Sequence, residues 1–197
     1  MAWDTEGTRR RLREAALAEF AARGLDGTTV GSIAERAGVN KERLYSYFGD
    51  KRALWELVLA TELERLASAV ALTGVSLSDI GEFAGATYDY HAAHPELGRL
   101  LQWEGLQGGP PVDALGRTAH YREKVSRFAA AQLEGRLDAD LDPAHLVFAL
   151  IALAAWWQTV PQLAEMVTGA APDDLRERDR RRRFVVDAAR RLASPTA

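Results

Sequence analysis

Residues 28–54 read TTVGSIAERAGVNKERLYSYFGDKRAL, and their punctuation decides the fold. Thr28 or Thr29 can cap a helix from Val30 to Ala37, whose Val30, Ile33, Ala34 and Ala37 share one face. Gly38 breaks that helix, since glycine accepts the positive φ such a break needs. Asn40 is placed to cap a second short helix, Lys41 to Phe48. Gly49–Asp50 breaks the chain again, and Asp50 can cap a longer helix that opens at Lys51 and runs through Leu54, Leu57, Val58, Leu63 and Leu66. Two short helices joined by a tight glycine turn predict a helix-turn-helix.

The second of these helices is unusual in carrying charges and rings together. At 100° per residue, Leu44 and Phe48 fall on one stripe and must face the core, with Val39 just before them. Glu42, Arg43, Tyr45 and Ser46 point the opposite way, and Lys41 and Tyr47 flank the core stripe at about 60° on either side. A helix laid in a DNA major groove needs this arrangement, with an outward face for base edges and flanking groups for phosphates. The helix N-termini near Thr29 and Asp50–Lys51 are expected to add backbone N–H donors for phosphate.

Charge and composition agree with a two-part chain. Residues 1–53 hold ten Lys and Arg against eight Asp and Glu, so this part is +2 while the remainder of the −3 chain is −5. Arg9, Arg10, Arg11 and Arg13 make the start basic. Upstream of the motif, Leu12, Ala16 and Phe20 repeat at four within Thr8–Arg23, one face of an amphipathic helix that Gly24 is placed to end. The 197 residues are 47% hydrophobic, with apolar positions at three and four, which predicts an all-α protein with a substantial core. There is no cysteine, so neither a disulfide nor a thiolate metal site. The polar start lacks the apolar stretch of a secretion signal. The longest apolar run, Leu146 to Trp157, falls short of the about 20 residues of a membrane span. A cytoplasmic protein with no membrane partner is therefore expected.

From Thr28 to Leu54 the chain resembles the DNA-binding domain of the TetR family of bacterial transcriptional regulators. The resemblance rests on Thr28–Thr29, Ile33–Ala34, Ala37–Gly38–Val39, Leu44–Tyr45, Tyr47–Phe48 and Lys51. It implies an N-terminal three-helix domain over residues 1–53 and a helical ligand-binding and dimerisation domain over 54–197, about nine helices in all. It also implies a homodimer joined by its last two helices, double-stranded DNA as partner, a small-molecule effector, and no cofactor. By position, Thr29, Lys41, Tyr45, Tyr47 and Lys51 would touch phosphate or base, with Asn40 and Ser46 on the same surface and Arg43 as the main base reader. Glu42 would either accept from a cytosine amine or repel phosphate and sharpen specificity.

Beyond residue 70 the chain carries no motif. Helices are predicted near 77–93, 95–106, 112–137, 143–167 and 173–193, with Asp142–Pro143 a strong start signal. Trp103, Gln107, Tyr121, Phe128 and Trp157 are candidates for the effector pocket, and Leu150, Trp156, Val185, Ala189 and Leu192 for the dimer seam. Trp156 and Trp157 point about 100° apart and cannot share a side. His91 and His94 stand three apart, but Pro95 interrupts the helix and no third ligand has a diagnostic spacing, so no metal site is expected. Arg180–Arg183 lies among acidic residues and reads as a solvated face with i, i+4 ion pairs. No nucleophile–base set, glycine-rich phosphate loop or HExxH appears, which favours a non-enzyme. A helical small-molecule-binding or enzymatic protein without DNA binding is the alternative that the Thr28–Lys51 register argues against.

Overall fold

A computed structural model describes residues 5–171 and 174–195. Ten α-helices and no strand are present among the described residues: α1 Thr5–Gly27, α2 Val30–Ala37, α3 Lys41–Phe48, α4 Lys51–Ala69, α5 Leu77–Ala93, α6 Pro95–Gln107, α7 Ala114–Leu133, α8 Pro143–Thr159, α9 Pro161–Thr168 and α10 Leu175–Ala193. The all-α expectation is met, with one helix more than the nine foreseen. The extra one arises because the helix expected over 143–167 is broken. Pro161 lacks an N–H and crowds the residue before it, and Val160 leaves the helical region at φ −130, ψ 63. The helix expected over 112–137 is shorter, and the first residue of the one expected over 173–193 lies outside the described residues.

The helix-turn-helix punctuation is realised residue by residue. Thr29, not Thr28, caps α2: its hydroxyl accepts from the Ser32 amide, and the Ser32 hydroxyl accepts in turn from the Thr29 amide. Gly38 ends α2 in the left-handed region at φ 64, ψ 38. Asn40 occupies the cap position of α3 without a side-chain cap bond, and Asp50 caps α4 through the Ala53 amide at 2.8 Å.

Two compact units result, and their boundary differs from the expected cut at residue 53. The first extends to residue 65 and includes 96–114; the second comprises 66–95 and 115 onward. α6 joins the first unit because Trp103 docks on α1. Its indole donates to the Ala21 carbonyl, and its ring covers Gly24 so closely that a Cβ there would lie 2.8 Å away. Gly24 itself kinks α1 at φ 69, ψ −177, a conformation open essentially to glycine alone. Within this unit Leu12, Phe20, Ile33, Leu44 and Leu54 are fully buried, and Phe20 meets Trp55 edge-on at 5.2 Å. Buried Glu19 ties α1 to α2 by an ion pair to Arg36 at 2.8 Å, and pairs within α1 with Arg23 at 3.0 Å. Burial raises the Glu19 pKa, but the bonds from Arg36 and Ser32 and the two positive charges outweigh it and hold the carboxyl below its usual range.

In the second unit α5 packs closely on α10 and α8. Gly81 and Gly85 permit this approach: a Cβ at Gly85 would lie 2.9 Å from Val186 Cγ2. The core takes Ile80, Phe83 and Tyr88 from α5, Phe128 and Ala131 from α7, Leu146, Val147 and Leu150 from α8, and Val185 and Ala189 from α10. No single described helix is long and apolar enough to cross a membrane; α8 and α9, which together are, bend by 87° at Pro161.

Candidate nucleic-acid interface

On α3, Leu44 is sealed in the core and Phe48 is half-buried, so the helix shows solvent the face the periodicity assigns. Lys41, Glu42, Tyr45 and Ser46 are exposed, as are Asn40 just before the helix and Thr29 at the start of α2. Arg43 stands less free than expected. It is half-buried along the helix, with Nη1 3.5 Å from the Tyr47 hydroxyl one turn on. Tyr47 is in turn fixed between the edge of Phe48 and the guanidinium of Arg9, which lies 5.2 Å from its ring centre. The basic start of α1 thus reaches the reading helix directly, a contact that helical spacing alone does not reveal.

Lys51 has partners within the chain. Its ammonium donates to the carbonyls of Leu25 and Thr28, both at 2.7 Å, so two of its three N–H groups are spent inside the protein. It staples the start of α4 to the end of α1. The N-terminus of α4 also carries the carboxylate of Asp50, which repels a phosphate, whereas the neutral Thr29 cap leaves the N-terminus of α2 suited to one.

The pocket candidates fall in different units. Trp103 is the docking residue of α6 on α1, and Gln107 is exposed beside a cleft of about 600 Å³ whose walls include Arg52, Trp55, Glu104 and Val112. In the second unit Tyr121 is exposed. Phe128 is sealed in the core with Phe83 and Ala131. Trp157 is closed over by α10, edge-on to Phe184 at 6.1 Å and beneath Arg181 at 5.4 Å.

Three seam candidates are also corrected. Leu150, Val185 and Ala189 have no exposed surface, because they face the α5–α8–α10 core of their own chain. Trp156 and Leu192 are exposed and remain available, and the structure adds Phe148 and Phe184. Phe148 and Trp156 stand eight apart on α8, and Phe184 and Leu192 eight apart on α10, so each pair marks one stripe. A shallow groove on α10 runs between Phe184, Ala188 and Leu192.

The arginine run is not a uniformly solvated face. Arg181 is buried, bonded to Glu177 at 3.3 Å and to the Thr168 hydroxyl, while Arg182 pairs with Asp89 at 2.6 Å. His91 is buried on α5 and its pKa is lowered by burial and by neighbouring His94, which is exposed. Among the described residues no three potential metal ligands come together.

Two sequence families match this chain: "Bacterial regulatory proteins, tetR family" over residues 12–58 and "Tetracyclin repressor-like, C-terminal domain" over residues 79–191. Among curated relatives, the HTH-type transcriptional repressor SCO4008 of Streptomyces coelicolor is 38% identical over 96% of both chains. The HTH-type transcriptional regulator RutR of Escherichia coli K12 is 33% identical over 84% of this chain and 81% of its own. Among solved structures, a putative transcriptional regulator from Streptomyces coelicolor, SCO4942, superposes with a TM-score of 0.80 at 30% identity, over 94% of this chain and 98% of its own. The ketosteroid transcriptional regulator KstR2 of Mycobacterium tuberculosis shares the fold, with a TM-score of 0.72 at 19% identity over 94% and 95% of the two chains.

Proposed function

The chain belongs to the tetR family of bacterial regulatory proteins, and on that footing we propose that it is a ligand-responsive, DNA-binding transcriptional repressor that acts as a homodimer in the cytoplasm. One observation carries the reading: α3 buries Leu44 and half-buries Phe48 while it offers Lys41, Glu42, Tyr45 and Ser46 to solvent, with Arg43 beside them. Arg43 is the only guanidinium on α3, and a guanidinium can bridge guanine O6 and N7 in the major groove. Tyr45, Lys41 and the α2 N-terminus hold the backbone on either side, with Arg9 and Tyr47 bracing the position of Arg43.

The homodimer rests on the exposed stripes of α8 and α10. Phe148, Trp156, Phe184 and Leu192 leave much of their apolar surface exposed in a lone chain, and an isologous pairing would cover the same patch on both copies. Two reading heads related by a two-fold axis call for an inverted-repeat operator. An effector that binds one arrangement of the dimer better than the other shifts the DNA-competent population. A gel shift against the DNA upstream of the chain's own gene tests the reading. A discrete complex resistant to scrambled competitor is expected, and equal competition by scrambled DNA would refute it.

A further inference from the structure

Lys124, on α7, is buried. Its ammonium lies 2.7 Å from Nε2 of His120, one turn earlier, and 5.4 Å from the centre of the Phe83 ring on α5. Its close partners among the described residues are thus an imidazole and a π face, not a carboxylate. Of the other buried acidic and basic groups, Glu19 has two arginines, Glu62 has Arg65 and Arg181 has Glu177, while Asp138 has its carboxylate bonded to the Asp140 amide. A buried ammonium without an anion is costly, and a fold retains one where something else brings the negative charge.

The surroundings limit what that is. Burial lowers the Lys124 pKa, with Glu123 opposing and Arg127 assisting, and burial beside Lys124 lowers that of His120. A neutral His120 accepts from Lys124 through Nε2; by changing tautomer it donates instead, so an arriving anion can take one bond from each side chain. The Thr87 hydroxyl is already committed to the Phe83 carbonyl. Phe128, one turn beyond Lys124, and Phe83 make the neighbourhood aromatic and apolar. Lys124 and Phe128 carry the α7 side of the contact with Phe83 of α5. His120 is exposed and marks the way in.

We infer that Lys124 and His120 form the head-group site for the effector, and that the effector is a monoanion: a carboxylate on an aromatic or hydrocarbon body. A single cation matches a single negative charge, and a phosphate dianion would leave one charge unmatched in the same apolar setting. The inference rests on the ligand-responsive reading proposed above.

The test uses the full chain. Benzoate, phenylacetate, cinnamate, hexanoate, octanoate and decanoate, each beside its carboxamide, are titrated against the wild type, Lys124→Met and Lys124→Arg. Thermal melting and release of bound DNA are followed in the same samples. At least one acid should raise the wild-type melting temperature and release DNA while its amide does neither. Without ligand, Lys124→Met should melt above the wild type, because it removes an unmatched charge and keeps the shape. It should bind that acid roughly a hundredfold more weakly, and Lys124→Arg should retain the response. Amides as effective as acids, no acid that shifts the wild type, or a Lys124→Met protein that responds like the wild type would each overturn the inference. If Lys124→Met does not fold, the contrast of acid with amide on the wild type decides alone. Failure of the wild type to bind DNA at all would instead remove the regulatory reading.

Discussion

At the scale of single residues, Arg43 and Lys51 divide the work that sequence position assigns to both. Arg43 shares the solvent-facing side of α3 and is braced by Tyr47. Arg43→Ala is expected to lose about 1–3 kcal/mol on the cognate site and to relax preference at one base pair. Titration on cognate and scrambled duplexes checks this; equal losses on both would make Arg43 a phosphate contact. Lys51 is occupied by the carbonyls of Leu25 and Thr28. Lys51→Ala should therefore cost about 2–3 kcal/mol of folding stability, the worth of charge-assisted bonds left unmade, and should leave the salt dependence of DNA binding unchanged. Denaturant melts with a salt series separate the outcomes, since a slope smaller by about 1 would return Lys51 to the phosphates. The role of Lys51 was not legible in the sequence because its partners are backbone carbonyls 26 and 23 residues away, with no side-chain signature. The exposed face of α3 was legible because an eight-residue helix with one leucine and one phenylalanine on a stripe can turn only one side inward.

At the scale of elements, caps and breakers made α2, α3 and the start of α4 readable to the residue, since Thr29, Gly38 and Asp50 each do a local job and Asn40 holds the cap position by its backbone. The split of α8 from α9 is equally local, marked by Pro161 just after the apolar run. The docking of α6 on α1 was not readable, because it depends on one glycine beneath one indole. Gly24→Ala tests that joint. The alanine would sit at φ 69, ψ −177 with its Cβ against Trp103, so strain and overpacking together should cost about 2–5 kcal/mol. Denaturant unfolding measures the loss, and a change in indole emission would report displacement of Trp103. A substitution without effect would mean that α1 can straighten there.

For the whole molecule, three of the five seam residues assigned from the sequence, Leu150, Val185 and Ala189, face the chain's own core. α8 and α10 each have two apolar stripes, and periodicity alone does not say which faces the chain's own core. The folded chain uses Val147, Leu150 and Ala154 with Val185 and Ala189 internally, and leaves Phe148, Trp156, Phe184 and Leu192 outside. Glutamate at Val185 or Ala189 would thus unfold the second unit. Phe148→Glu with Phe184→Glu should instead give a folded monomer by sedimentation, with most specific DNA affinity lost because one short helix buries little surface alone. A double variant that remains dimeric would place the seam elsewhere. The central claim is that the chain reads DNA through two symmetry-related copies of α3. Repeated selection of bound duplexes from a random pool by the full-length protein, followed by sequencing, tests it most directly. The account predicts an enriched inverted repeat whose half-sites lie about one helical turn, or a multiple of it, apart. A selected pool with no enriched motif, or with a single unrepeated half-site, would contradict it.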